Sequence, residues 1–90
     1  MGDIARIIEA KLMAALEPTV LTVADDSAQH SGHSGARPGG ESHFTVTVES
    51  RAFTGLGRLA RHRLVNRLLA EELAGPVHAL ALITRAPNEA

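Results

Sequence analysis

The chain has 90 residues, 44% of them apolar, a formal net charge of -1 and no cysteine. That length supports one domain near the lower limit for a self-sufficient core, with no disulfide to staple it. The near-neutral balance excludes whole-molecule attraction to nucleic acid or membrane. With no Trp or Tyr and only Phe44 and Phe53 as aromatics, the core is expected to be aliphatic.

Residues 1–90 are read as a single domain. Residues 3–16 place Ile4, Ile8, Ala15 and Leu16 on one stripe, flanked by Ile7 and Leu12, with Arg6, Glu9 and Lys11 between them. This predicts an amphipathic helix stopped before Pro18. Asp3 and this periodicity are unlike a signal peptide. No run approaches the ~18 apolar residues of a membrane span. With cysteine absent as well, the cytoplasm is the expected location.

Residues 19–25 alternate with β-branched residues and predict a strand. From Asp26 to Glu41 the chain is rich in Ser, Gly, His and Asp, with Pro38-Gly39-Gly40 near its end, and predicts a long flexible loop. Residues 42–50 alternate Phe44, Val46 and Val48 against Thr45, Thr47 and Glu49, the pattern of a half-buried strand. Gly55 and Gly57 interrupt the chain around a short turn. Residues 59–74 predict the strongest helix, with Leu64, Val65, Leu68, Leu69 and Leu73 inward, arginines outward and a Gly75-Pro76 stop. Residues 77–84 predict a last strand without polar alternation, covered or paired on both sides.

Together these elements predict an α+β domain of order αββ(α)αβ. A strand–helix–strand unit from 42 to 84 crosses over right-handed, so the second and third strands are expected to run parallel. Their starts, and the end of the first hairpin's loop, then share one edge of the sheet. His30, His33, His43 and His78 are candidates for that rim. Arg61-His62-Arg63 belongs to the opposite end of the crossover helix, on the order of 18 Å away over about twelve residues.

In a chain without cysteine, metal chemistry must use imidazoles or carboxylates, and an iron–sulfur site would need thiolates from a partner. His78 heads a strand, while His30 and His33 form His-x-x-His in a glycine-rich loop, outside the helical scaffold that gives such spacing its geometry. The alternative is a set of solvated loop histidines and an edge-of-strand histidine. His43 is expected to face solvent beside Phe44.

Five arginines (51, 58, 61, 63, 67) and no acidic residue occupy residues 51–67. Arg58, Arg61, His62, Arg63 and Arg67 are thus candidates for phosphate contact, the alternative being a solvated helix face. Missing aromatic platforms argue against single-strand RNA recognition. No nucleophile elbow or poised carboxylate pair is present, so the chain is not read as an enzyme.

Glu41-Ser42-His43-Phe44, Phe53-x-Gly55, Arg61-His62-Arg63-Leu64-Val65, Leu69-Ala70-Glu71-Glu72-Leu73 and Val77-His78-Ala79-Leu80 resemble the BolA family. Asp26-Ser27-x-x-His30 resembles the loop of its BolA1-type members, so the likeness spans essentially the whole chain. The resemblance implies an αββααβ fold like class II KH domains, a three-stranded mixed sheet with helices on one face. It also implies a monothiol glutaredoxin partner and a shared 2Fe–2S cluster, in iron–sulfur trafficking or iron homeostasis. The glutaredoxin cysteine and glutathione supply thiolates, and this chain supplies histidines. His78 matches the family's C-terminal ligand and His30 its loop ligand. His33, three residues on, is an alternative second ligand. Alone, the chain is expected to be a monomer or weak homodimer. Gly55-Leu56-Gly57 is not the G-x-x-G clamp of nucleic-acid-binding KH domains. The family also contains DNA-binding transcriptional regulators, for which the Arg61-Arg63 region is the natural contact.

Overall fold

The computed structural model describes residues 2–26 and 42–89. In chain order these form α1 (Asp3–Leu16), β1 (Val20–Asp25), β2 (His43–Glu49), a 3-10 turn (Arg51–Phe53), α2 (Arg58–Leu68), α3 (Ala70–Ala74) and β3 (Ala79–Arg85). The expected α+β architecture is observed. β2 is the central strand, antiparallel to β1 and parallel to β3.

Register sets the two faces of the sheet. Leu21 pairs with Val48 and Val23 with Val46 on one side, while Leu80 pairs with Phe44 and Leu82 with Val46 on the other. Residues opposite one another share a face, so these seven build the inner surface. The helices bring Ala5, Ile8, Leu12, Leu16, Val65 and Leu69 to it. Phe44 and Phe53 are its two largest fully buried side chains. The outer face, including Thr22, Ala79, Ala81 and Ile83, stays exposed.

Three local expectations are corrected. In α1 the buried stripe is Ala5, Ile8, Leu12 and Leu16, with Ala15 and Ile7 exposed. Burying Leu12 is worth roughly 1.5–3 kcal/mol, far more than burying an alanine, and this rotates the helix toward the sheet along Leu12. The helix expected over 59–74 breaks at Leu69, which sits at φ -105°, ψ 21°. No glycine or proline marks the break. It lies between tertiary anchors: Leu69 is in the core, and Glu72 of α3 receives Lys11 Nζ of α1 at 2.9 Å. β3 is an edge strand that alternates in exposure, not one covered on both sides. Its outward residues Ala79 and Ala81 are apolar but small, so a polarity pattern cannot tell which way they face.

The turns follow local chemistry. Glu17 ends α1 in the left-handed region (φ 45°), its N–H donating to Met13 O at 3.2 Å. Gly55 adopts φ 83° between the 3-10 turn and α2, where a side chain would cost about 1–2 kcal/mol. Gly75 ends α3 at the expected place.

A clasp closes the C-terminal end. Arg61 Nη1 and Nη2 donate to the Glu89 carboxylate at 2.7 and 2.6 Å, and Arg61 Nε donates to Leu56 O at 2.8 Å. The guanidinium lies 5.9 Å from the Phe53 ring centre. The Arg61 pairing, with help from the Ala86 N–H, holds the Glu89 carboxyl at about 2. Because that value is depressed below the ordinary 4.5, the clasp contributes fully above pH 4.5 and is lost as pH falls through 2.

Two outcomes are expected. Phe53→Ala should lower the unfolding free energy by about 3–5 kcal/mol in a urea titration, since it empties a fully buried aromatic site. A carboxyl-detected NMR titration should place the Glu89 midpoint near 2, moving toward 4.5 in Arg61→Ala.

Candidate functional site

Parallel pairing of β2 and β3 places their starts on one edge of the sheet, beside the end of β1. His43 pairs in register with Ala79, so His78 arrives directly alongside. The Ser42 carbonyl accepts N–H bonds from both His78 (2.7 Å) and Ala79 (3.2 Å). Ser42 is fully buried, so the backbone that carries His78 is anchored while its side chain stays exposed.

The two imidazoles come together at this rim. Their ring centres are 6.4 Å apart, with planes inclined by 19°. Ser42 Oγ lies 2.9 Å from His43 Nδ1, which orients the His43 ring. Asp26 closes the neighbouring wall: its N–H donates to His43 O at 2.7 Å, and its carboxylate accepts the Thr45 hydroxyl. Asp26, His43, Thr45, Ala79 and Ala81 line an open depression of about 300 Å³ on the outer face. His30, His33 and the rest of the expected 26–41 loop beyond Asp26 lie outside the described residues.

The residues present suit a histidine-ligated centre with outside help. An exposed, backbone-anchored imidazole is a competent soft-to-borderline ligand, and a second imidazole stands next to it. Among the described residues no group of three His, Cys, Asp or Glu side chains is placed to enclose a metal ion. Further ligands to such a centre would come from outside the described residues. His43, a rim candidate expected to face solvent beside Phe44, does reach that rim. Its outward phase opposite Phe44 was legible in the strand alternation, but its proximity to His78 depends on the β2–β3 register.

The basic run divides into two groups. Arg61 is committed to the clasp, with its side chain only 11% exposed, and the Glu89 contact raises its pKa. Arg58, Arg63 and Arg67 are exposed and His62 is half-buried. None of these four has an ion-pair partner among the described residues. Glu89, the last described residue, carries no motif that would flag it. No helix among the described residues is long and apolar enough to cross a membrane.

Comparison with known proteins agrees with this geometry. Residues 12–89 match the model of the BolA-like protein family. Human BolA-like protein 1 is 48% identical over 89 residues, covering 99% of this chain and 62% of that protein. The chain thus spans somewhat under two thirds of that relative's length. The DNA-binding transcriptional regulator BolA of Vibrio cholerae is 47% identical over 83 residues, covering 92% of this chain and 74% of the relative. The solved BolA domain of SufE1 from Arabidopsis thaliana superposes with a TM-score of 0.89 at 39% identity, covering all of this chain and 99% of that one. The matched family model, the full-length sequence similarity and the shared αββααβ sheet together establish that the chain belongs to the BolA-like family.

Proposed function

We propose that this chain is a non-enzymatic adaptor that pairs with a monothiol glutaredoxin and shares a 2Fe–2S cluster with it. The observation that carries this reading is an exposed His78, held by two backbone hydrogen bonds to a buried serine, at the rim of a chain without cysteine. His78 is the first ligand. His30 or His33, in the segment between β1 and β2, supplies the second imidazole. Two imidazoles on one iron and two thiolates on the other is a stable ligand set. The thiolates would come from the glutaredoxin cysteine and glutathione. When bound, the cluster supplies one-electron redox chemistry and a transferable iron–sulfur unit. This chain's residues hold and orient it: Ser42 anchors the His78 backbone, and the His43 ring limits the directions in which the His78 ring can swing.

A second reading is supported by a specific relative. The Vibrio cholerae protein is named as a DNA-binding transcriptional regulator and is 47% identical to this chain. Arg63 and Arg67 are exposed on α2 without ion-pair partners among the described residues, and would carry the phosphate contacts. Arg61 would not, because its guanidinium is bound to Glu89.

Anaerobic titration into a 2Fe–2S-loaded monothiol glutaredoxin, followed by visible circular dichroism, tests the first reading. The wild type should generate a new spectrum that His78→Ala abolishes; an identical spectrum from the variant would sink the assignment. For the second, Arg63→Ala and Arg67→Ala should each reduce the salt slope of DNA binding by about one. Arg61→Ala should lower thermal stability instead. Salt-independent binding, or none at low ionic strength, removes the DNA reading.

A further inference from the structure

α2 and β3 form a second depression, away from the histidine rim. Arg58 and His62 are four residues apart on α2 and therefore share a helical face. With Leu82, Ile83 and Thr84 of β3 they line a volume of about 230 Å³. No acidic side chain lines it. Among the described residues, the side chains of Arg58, His62 and Thr84 have no hydrogen-bond or ion-pair partner. Their neighbour Arg61, one turn along from Arg58, is by contrast fully engaged by Glu89.

An unpaired guanidinium, an imidazole and a hydroxyl around one hollow are three donors without an acceptor. The guanidinium fork can bind two oxygens of an anion at once. The imidazole N–H and the Thr84 hydroxyl supply donors for further oxygens. A carboxylate offers only two oxygens in one plane, whereas a phosphate offers three or four in a tetrahedron. Leu82 and Ile83, the latter 51% exposed, form an apolar wall beside these donors. That wall suits the organic part of an ester.

We propose that this depression binds a phosphate group, with Arg58, His62 and Thr84 as its donors and Leu82 and Ile83 against the attached organic group. The site stands independently of the cluster reading. It also differs from a diffuse basic helix, because it selects Arg58 and His62 over the exposed Arg63 and Arg67. The phosphate source is a small phosphomonoester or the backbone of DNA.

The test uses the full chain, isotopically labelled and titrated with phenyl phosphate in chloride buffer, with amide shifts as readout. Saturable shifts should centre on Arg58, His62 and residues 82–84, and Arg58→Gln and His62→Ala should each weaken binding about tenfold. Arg58 is exposed and His62 half-buried, and the unperturbed part of the spectrum reports directly that the variants remain folded. Shifts that do not saturate, shifts as large at Arg63 and Arg67, or unchanged affinity in Arg58→Gln would overturn the proposal. A short DNA duplex added to the phenyl phosphate complex then identifies the source. Displacement assigns the site to a nucleic-acid phosphate, and retention assigns it to small phosphomonoesters.

Discussion

β2 is held at each end by a fully buried serine, and the other elements take their positions from it. At the start of the strand, the Ser42 carbonyl receives the N–H groups of His78 and Ala79 and so fixes where β3 begins. At its end, Ser50 Oγ donates to Leu16 O at 2.6 Å and accepts the Ala52 N–H at 3.1 Å, joining the end of α1 to the 3-10 turn. The Ser50 N–H donates to Arg85 O, closing the far end of β3. Each bond contributes only about 0.5–1.5 kcal/mol net, but a buried hydroxyl or carbonyl left without a partner would cost about 1–3 kcal/mol. The chain is thus strongly constrained at the two points where it enters and leaves its central strand.

The two ends of β2 have different consequences. At the Ser42 end the constraint brings imidazoles together, since His78 cannot move along the sheet and His43 is the first residue of the strand itself. At the Ser50 end the neighbourhood is consumed by structural pairing. Thr19 and Arg85 both bind the Glu49 carboxylate, and these contacts lower its pKa. The Ser42 end therefore presents imidazoles, while the Ser50 end ties charges to one another.

A similar division runs through the arginines. Five of them in an acid-free segment read as one basic patch, yet folding draws Arg61 onto Phe53, Leu56 and Glu89. What remains for an external anion is Arg51, Arg58, Arg63 and Arg67, of which Arg58 borders a hollow shaped by β3. Arg61 opens the Arg61-His62-Arg63 motif, and in the folded chain it serves the C-terminal clasp.

Sequence alone determined α1, the three strands, the main helix after Gly57, the parallel return of β3 and the placement of His78 beside a strand start. These follow from apolar periodicity, glycine and proline punctuation and chain connectivity, all of which are local or topological. The missing cysteine, equally plain in the sequence, restricted ligand chemistry to imidazole and carboxylate. Tertiary structure decided which residues of each stripe are buried, as where Leu12 replaces Ala15 in α1. It also set the break at Leu69, the meeting of His43 with His78, and the loss of Arg61 to Glu89. Those outcomes depend on strand register and on contacts between residues up to 61 positions apart, as in Lys11–Glu72. No window of local pattern contains both partners of such a contact, so only the packed chain selects them.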